Sequence, residues 1–283
     1  MEQMTIRLGD TSDPSITPAT IGRNRAAIIC PLQGPDASSL VASARRIAQT
    51  ACDVVEWRVD TLASTEEAVL KGALQVVRRE LKVPLLATAR TSTEGGALPA
   101  EELDRVVTVL LEAGVDAIDI EASAETAGDL IDRAFGADTV VVLSAHDFTG
   151  TTGVETLLDE FTAMQQRLLD HAASASQTMS EDKREEWAER GWGIVKIATT
   201  PVDPMDIYKL MVAGRRFVDT VATVPIIAIS MGQLGQLTRT YPGALGSAAT
   251  FAASPGEESA PGQISVESLS EFHAQTGCLN LNR

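Results

Sequence analysis

Short runs rich in apolar and β-branched residues alternate along this chain with longer amphipathic segments, and this alternation constrains the fold more than any other feature. Eight such runs of five to eight residues occur. Strands that alternate with helical segments are typical of βα units around a parallel sheet. Eight units predict an α/β fold of the (β/α)₈ or TIM-barrel type. The predicted strands are residues 26–30, 53–58, 84–90, 116–121, 139–146, 193–198, 225–230 and 244–251.

Two segments between the predicted strands carry signals for helix ends. Ser64 and Glu67 have the spacing of a capping box at the start of the helical pattern 64–81. The pattern 99–114 opens on a proline and closes on a glycine, as helices commonly do. Both segments are therefore predicted to be helices that cover the sheet.

The chain is long enough, and apolar enough, for one large domain. It has 283 residues, of which 44% are hydrophobic, and barrels of this type commonly run to ~250 residues. Residues 1–24 fit neither the strand nor the helix pattern and are predicted to form a short hairpin across the barrel bottom. Residues 172–192 are predicted to lengthen the fifth helical connection as a solvated helical extension. We therefore expect a single barrel domain over residues 1–283.

The net charge and the cysteine spacing indicate which binding partners and which cellular compartment suit this protein. The formal net charge is −16, which opposes nucleic acid or an anionic membrane as a partner. Cys30, Cys52 and Cys278 show no CxxC spacing. The N-terminus is polar and acidic, and no apolar run reaches the ~18 residues of a membrane span. These features predict a cytoplasmic protein without a signal peptide, and the site for any anionic substrate must be locally basic.

One lysine lies where a strand would normally carry a valine. Lys196 is flanked by apolar or small residues throughout the stretch 191–201. An unpaired ammonium in the core is so costly that the group tends to lose its proton, and a neutral amine is a nucleophile. The alternative is that Lys196 lays its stem along the core and lifts its charged end to solvent.

Other polar residues cluster late in the predicted strands. In a barrel the carboxyl ends of the strands form the active-site face, so ionisable groups there indicate chemistry. Single residues have simpler explanations, because Arg58 could pair with Asp60 and a lone histidine on an apolar strand is usually a satisfied core residue. Together they predict one site that combines acid, base, nucleophile and cations. The residues are Glu56, Arg58, Arg90, Glu94, His146, Asp147, Lys196 and Arg239.

Seven motifs in order resemble one enzyme family, the type I 3-dehydroquinate dehydratases of the shikimate pathway. Each motif alone is weak, but together they span most of the chain. The motifs are EWRVD (56–60), TARTSTEGG (88–96), SAHDF (144–148), VKIA (195–198), SMGQLGQLTR (230–239), GSAATF (246–251) and SAPGQ (259–263).

The resemblance implies a (β/α)₈ barrel, usually a homodimer, that dehydrates 3-dehydroquinate to 3-dehydroshikimate without a metal or a cofactor. Lys196 matches the family's Schiff-base lysine, and His146 matches its general acid/base. Glu94 matches the carboxylate that orients the histidine.

The resemblance also implies a set of substrate-binding residues. Arg239 matches the arginine that clamps the substrate carboxylate, and Ser259 and Gln263 match residues that close over the same end. The composition of residues 253–263, with glycine, proline and acidic residues, predicts a mobile lid. Glu56, Arg58 and Arg90 match residues that hold the ring hydroxyls, and Met231 and Phe251 match apolar walls of the pocket.

The implied chemistry explains why these residue types are needed. Removing a proton next to a ketone is difficult, but a lysine that condenses with the ketone gives a protonated imine that accepts the electrons as an enamine. A histidine has an ordinary pKa that suits proton transfer in both directions. By contrast, His171 and His273 fall in helical segments remote from the strand ends and are expected to be dispensable.

Two alternatives remain at the level of the sequence. A class I aldolase-type lyase would share Lys196 but would not need the histidine, the acidic and basic residues of the second strand and the carboxylate-binding arginine together. A non-catalytic barrel that binds a pathway metabolite would need no buried nucleophile.

Overall fold

A computed structural model describes residues 5–9, 15–22, 25–254 and 263–276. Its eight parallel strands are neighbours in the order β10-β3-β4-β5-β6-β7-β8-β9. A parallel bridge between Ile226 and Ser247 joins the two ends of the sheet, so the sheet closes and the predicted barrel is confirmed. The strands are β3 (Ala27–Leu32), β4 (Val54–Arg58), β5 (Leu85–Thr88), β6 (Ala117–Glu121), β7 (Val140–Asp147), β8 (Gly193–Thr199), β9 (Ile226–Ser230) and β10 (Ala249–Phe251).

Helices surround the sheet, and most of them bury an apolar face against it. Short 3₁₀ turns lie at Val59–Thr61, Ser92–Glu94 and Ala100–Glu102. No helix in the described part of the chain is both long and apolar enough to cross a bilayer. The helices are α1 (Ala37–Ile47), α2 (Glu67–Glu80), α3 (Leu103–Glu112), α4 (Ala127–Gly136), α5 (Val154–Ser176), α6 (Glu181–Arg190), α7 (Pro204–Thr220), α8 (Gln236–Thr240), α9 (Pro242–Leu245) and α10 (Val266–Thr276).

A small antiparallel hairpin closes the bottom of the barrel, as predicted for the N-terminal segment. Its strands are β1 (Ile6–Leu8) and β2 (Ala19–Ile21), which pair antiparallel. Alternate hairpin side chains, including Ile6 and Ile21, are buried in the same apolar cluster as the lower interior of the barrel. The hairpin therefore acts as a plug that removes this apolar surface from water.

Two local predictions were wrong. Residues 244–251 were expected to form one strand, but Gly246 has a left-handed φ of +75° that ends α9, so β10 begins only at Ala249. Ser64 does not cap α2; its hydroxyl accepts from the Glu66 N–H at 3.3 Å, and α2 begins at Glu67 without a side-chain cap. In both cases the helix end is set by backbone geometry that the residue types alone do not reveal.

Residues 172–192 form the last turn of α5, a connection and α6, rather than a purely solvated extension. Most of α6 is exposed, but Trp187 is buried and packs edge-on against Phe135, with ring centroids 5.2 Å apart. Trp187 also stacks on Trp192 at 5.6 Å. This aromatic cluster anchors α6 to the outside of the barrel, so the segment contributes to the core.

The two cysteines that the structure describes, Cys30 and Cys52, are buried free thiols. Burial raises the pKa of Cys30 and of Cys52 to about 12 in each case. Both thiols therefore stay protonated at neutral pH and behave as small apolar side chains. Cys278 lies outside the described residues.

Candidate active site

The interior of the barrel changes from apolar to polar along several strands, including β4, β6 and β8. On β8, Ile194 belongs to the lower apolar cluster and Lys196 follows it two residues later. Since alternate residues of a strand point to the same side, Lys196 lies above Ile194 inside the barrel. The same change occurs on β6 between Ala117 and Asp119, and it creates a charged layer near the carboxyl ends of the strands.

A cavity of about 210 Å³ opens on this charged layer. It is lined by every predicted site residue that the structure describes except Asp147, whose carboxylate instead accepts hydrogen bonds from the following loop, from the Thr149 N–H and hydroxyl at 2.7 Å each. Ser259 and most of the predicted lid lie outside the described residues. Pro31, Thr88, Gly95, Phe148, Ala198 and Ile229 complete its wall. The predicted residues that line it are Glu56, Arg58, Arg90, Glu94, His146, Lys196, Met231, Arg239, Phe251 and Gln263.

Lys196 is buried and ion-paired rather than extended to solvent. Only 4% of the residue is exposed. Its Nζ lies 3.0 Å from Asp119 Oδ2 and 3.7 Å from Glu56 Oε1. The Phe251 ring centroid lies 5.0 Å from Nζ. These contacts explain how the strand tolerates a lysine, because two carboxylates and an aromatic face replace the water that a buried ammonium would lose.

Asp119 is the direct partner of Lys196 and was not among the predicted site residues. Its carboxylate accepts from Arg90 Nη2 at 2.8 Å and from the Ser144 hydroxyl at 2.7 Å. Burial opposes ionisation of Asp119, but Arg90 and Lys196 outweigh it and hold the pKa of this carboxyl below its usual range. Asp119 is therefore a permanent anion beneath the lysine.

Arg90 joins three carboxylates on neighbouring elements. Besides Asp119, its guanidinium contacts Glu121 at 3.2 Å and Glu94 at 3.3 Å. Burial disfavours the charged guanidinium, yet the surrounding carboxylates raise its pKa, with Asp119 and Glu121 contributing most. Most of its hydrogen-bonding capacity is thus directed at the protein, which makes Arg90 a structural centre of the charged layer.

His146 and Glu94 form a hydrogen-bonded pair, as their predicted roles require. His146 Nδ1 lies 2.8 Å from Glu94 Oε2, and the Ser123 hydroxyl donates to the other oxygen of Glu94 at 2.5 Å. Burial, followed by the charges of Arg90 and Lys196, lowers the pKa of His146 well below its ordinary value. Burial raises the pKa of Glu94, although Ser123 and Arg90 oppose that rise. A neutral imidazole that donates from Nδ1 to Glu94 has a basic Nε2.

Phe148 supports the histidine from one side. Its ring stacks on the His146 ring, with centroids 6.1 Å apart and planes at 13°. Gly95 lies against the same phenyl ring, so closely that an added Cβ would lie 2.6 Å from it. A side chain at position 95 would therefore displace the ring that stacks on the histidine.

Arg239 differs from the other buried cations because no carboxylate balances it within the described part of the chain. It is 4% exposed, and its buried Nε has no hydrogen-bond partner among the described residues. Burial alone lowers the pKa of Arg239, to about 10. A buried arginine without a protein anion is suited to bind the anion of a ligand.

Arg58 forms an ion pair with Asp60, which is the structural role that the sequence offered as an alternative to substrate binding. Its Nε and Nη2 each donate to Asp60 at 2.8 Å. Burial opposes the charge of Arg58, but Asp60 and then Glu56 raise its pKa. Arg58 also lines the cavity. Because it is paired with Asp60, its positive charge is largely neutralised before a ligand binds.

Sequence reasoning missed the polar support beneath the site. Asp119 and Glu121 lie at alternate positions of a strand that is otherwise apolar. Residues two apart on a strand point to the same side, so Asp119 and Glu121 both face the barrel interior. Lys196 faces the same interior from its own strand, and this shared orientation could have identified both carboxylates from the sequence. Ser123 and Ser144 carried no such signal, because isolated serines are common at strand ends. No cluster of three or more potential metal ligands occurs among the described residues.

This chain is similar to known proteins over most of its length. The family model for type I 3-dehydroquinase matches residues 28–172 and 167–278. The 3-dehydroquinate dehydratase of Enterococcus faecalis is 34% identical over 259 residues, which cover 89% of this chain and 93% of the relative. The enzyme of the same name from Albidiferax ferrireducens is 33% identical over 258 residues, with 88% of each chain covered.

Solved structures agree with the sequence comparisons. The type I 3-dehydroquinate dehydratase of Clostridium difficile, solved with covalent modified comenic acid, aligns with a TM-score of 0.78 at 26% identity and covers 96% of this chain and 97% of its own. The Enterococcus faecalis structure aligns with a TM-score of 0.74 at 30% identity, with 90% and 96% of the two chains covered.

Proposed function

Because this chain belongs to the type I 3-dehydroquinase family and dehydrates 3-dehydroquinate to 3-dehydroshikimate in the shikimate pathway, we propose that Lys196 is the residue that forms its Schiff base. The observation that carries this proposal is a buried amine at the floor of the cavity, 3.0 Å from a buried carboxylate. The covalent modification in the Clostridium difficile structure is in keeping with a nucleophile in the corresponding enzyme.

The proposed reaction begins when the unprotonated Lys196 amine adds to the substrate ketone. The proton that the Lys196 ammonium gives up before the addition returns to the hydroxyl of the adduct, which leaves as water and gives a protonated imine. This imine accepts the electron pair when the C2 proton is removed and becomes an enamine. The enamine then expels the C1 hydroxyl as water, and hydrolysis of the remaining imine releases the product and the amine. Asp119 stays an anion throughout, so it pairs with the ammonium before the reaction and with the protonated imine during it.

We assign the proton transfers to His146. Its depressed pKa keeps the imidazole neutral at pH 7, which is the form that can take the C2 proton. The resulting imidazolium then donates its proton to the departing hydroxyl. Glu94 stabilises the imidazolium and orients the ring through Nδ1. One histidine can therefore act as base and then as acid without exchanging its proton with solvent.

Arg239 is the proposed partner of the substrate carboxylate. It is the buried cation for which the described residues offer no counter-anion, and an arginine can bind a carboxylate through two parallel hydrogen bonds. Gln263 lines the same cavity and is proposed to cover this end of the substrate. The matching role of Ser259, and the predicted lid, stay predictions because residues 255–262 lie outside the described part of the chain.

The remaining cavity residues are proposed to contact the substrate ring. Glu56 and Arg58 line the cavity from β4, and Arg90 lines it from just after β5; these polar groups are assigned to the hydroxyls. Met231 and Phe251 offer apolar surfaces. Since Arg58 and Arg90 already pair with protein carboxylates, we expect each to contribute hydrogen bonds to the substrate rather than net charge.

Borohydride trapping tests the assignment of Lys196. Reduction in the presence of 3-dehydroquinate should attach the ligand irreversibly to the peptide that contains Lys196, and mass spectrometry of the digested protein should locate it there. The Lys196→Arg variant, which keeps the positive charge, should remain unmodified. Attachment at another lysine, or an unmodified wild-type peptide after turnover, would overturn the assignment.

We also propose that the enzyme is a cytoplasmic homodimer. Met205, Tyr208 and Val212 lie about one turn apart on α7 and are 61%, 57% and 44% exposed. With a net charge of −16, association of two copies would need such an apolar face to overcome charge repulsion. Light scattering at several protein concentrations should give twice the chain mass, and the mass of one chain would overturn the dimer.

A further inference from the structure

The buried face of the C-terminal helix contains one polar side chain. On α10, the residues with less than a tenth of their surface exposed are Val266, Leu269 and His273. Their spacing of three and four residues defines the face that packs on the barrel. A histidine that is 5% exposed, at a position where an apolar side chain would normally lie, requires a polar partner.

That partner is a backbone carbonyl near the proposed carboxylate clamp. His273 Nε2 lies 2.9 Å from Thr240 O. A carbonyl oxygen only accepts, so Nε2 carries the hydrogen and donates it. Within the described part of the chain, Nδ1 is buried without a partner, and burial lowers the pKa of His273 despite the bond to Thr240. The ring is therefore neutral and in a single tautomer.

Thr240 immediately follows Arg239 at the end of α8. This helix has five residues, too few to be stable without tertiary contacts, and its last carbonyls have no intrahelical partner. The Thr250 hydroxyl donates to Arg239 O at 2.9 Å. The bond from His273 holds the next carbonyl, so the peptide on the carboxyl side of Arg239 is held from β10 and from α10.

A second contact joins the same two elements. The ring of Phe272 packs edge-on against Tyr241, with centroids 5.4 Å apart. Phe272 and His273 of α10 thus contact Tyr241 and Thr240, the two residues that follow Arg239. These contacts argue against the expectation that His273 is dispensable. For His171 the expectation stands, because it lies on α5, pairs at the surface with Asp132 at 2.7 Å and does not line the cavity.

We infer that His273 is a positioning residue that fixes the orientation of the Arg239 guanidinium for the substrate carboxylate. The inference rests on the proposed function of Arg239. Two parallel hydrogen bonds to a carboxylate require a defined direction of the arginine fork, and a short helix with a loose end would let that direction vary. His273 does not touch the substrate, so its loss should weaken binding and leave the proton-transfer machinery intact.

Steady-state kinetics of three variants test this role. His273→Ala should raise KM roughly five- to tenfold, the effect of one lost hydrogen bond, while kcat stays within about twofold of wild type. His273→Gln, whose side-chain amide can also donate, should recover most of the loss. The control His171→Ala should leave both constants unchanged. An unchanged KM in His273→Ala, or an equal loss in kcat, would overturn the inference.

A double-mutant cycle with Arg239 separates this inference from the function on which it rests. If His273 acts through Arg239, then His273→Ala should have no further effect on KM in the Arg239→Ala background. An equal rise in KM in both backgrounds would overturn the positioning role and leave the clamp in place. An unchanged KM in Arg239→Ala alone would overturn the clamp and the inference with it. Thermal unfolding of each variant identifies any loss of folded protein, and a lower Tm with unchanged KM would count against the inference.

Discussion

The lower and upper halves of the barrel interior are built from the same strands but have opposite physical character. The lower half contains apolar side chains such as Ile29, Val54 and Ile194, sealed by the hairpin β1–β2. The upper half contains a layer of buried ions around Lys196 and Arg90. On β4, β6 and β8 the change takes only two residues, the distance between neighbouring interior positions.

The lower half of the barrel interior mainly stabilises the protein, whereas the upper half carries the residues proposed for the chemistry. Burial of an apolar side chain in the lower half contributes about 1.5 to 3 kcal/mol. In the upper half, each buried ion carries a desolvation penalty against which the attraction of its partners is set, so the layer adds little net stability. We therefore expect substitutions of apolar residues in the lower half of the barrel to reduce mainly stability. Substitutions of polar residues in the upper half should reduce mainly activity.

The largest expected effect is that of Lys196→Arg in the upper layer. A guanidinium stays protonated and cannot condense with a ketone, so turnover should fall by about 10⁴-fold or more, since covalent catalysis is lost. Stability should change little, because the charge beside Asp119 is kept. Lys196→Met is the matched variant: it removes one of the two cations that balance Asp119, leaves an excess of buried negative charge, and should cost about 3 to 5 kcal/mol of unfolding free energy. Enone absorbance measures turnover, and chemical denaturation measures stability.

Substitution of His146 should have the next largest effect. His146→Ala removes the general acid/base and should lower kcat by about 10² to 10⁴-fold, while the imine with Lys196 can still form. Borohydride should therefore still trap ligand in this variant. Turnover close to wild type would remove His146 from the mechanism, and loss of trapping would mean that it also acts before imine formation.

The carboxylate clamp should contribute to binding more than to the chemical step. Arg239→Ala should weaken binding of substrate by about 2 to 5 kcal/mol, the range for a buried charged hydrogen-bonded pair. Arg239→Lys keeps the charge without the fork and should lie between wild type and Arg239→Ala. Titration calorimetry with the product measures the affinity. Equal affinities in all three proteins would place the substrate carboxylate elsewhere.

A substitution in the lower half should give the opposite pattern. Ile21 is 1% exposed in the hairpin that seals the barrel, and Ile21→Ala should lower the unfolding free energy by about 2 to 4 kcal/mol because it leaves a cavity. Both kcat and KM should stay within about twofold of wild type when the protein is folded. A large change in kcat would show that the two halves are mechanically coupled.

The smallest expected effect is a pH dependence of stability. The folded pKa of His146 is depressed, whereas an unfolded histidine titrates near ~6.5. Below that pH the unfolded state binds more protons, so this contribution to stability is present above pH ~6.5 and is lost as pH falls toward the folded pKa. Wild type should lose up to about 1.4 kcal/mol per pH unit more than His146→Gln between pH 6.5 and 5. Parallel pH curves for the two proteins would contradict the depressed pKa.

The sequence alone determined the barrel and the main residues of the candidate site. The strands are short runs of mainly apolar residues and most helices show a period of about 3.6 residues, and such local patterns are readable without the fold. Motif order then identified Lys196, His146, Glu94 and Arg239, and the structure brings all four to one cavity. Their chemical roles follow from the family resemblance and stay proposals.

Tertiary structure decided which charges meet. Lys196 and Asp119 are 77 residues apart along the chain, and His273 contacts Thr240 across 33 residues. No local pattern encodes such pairs, because they depend on the register of neighbouring strands and on how each helix docks. The burial of Trp187 on α6 was missed for the same reason, since its partner Phe135 lies on another helix. Periodicity shows which face of an element is buried, whereas only the closed barrel determines what that face contacts.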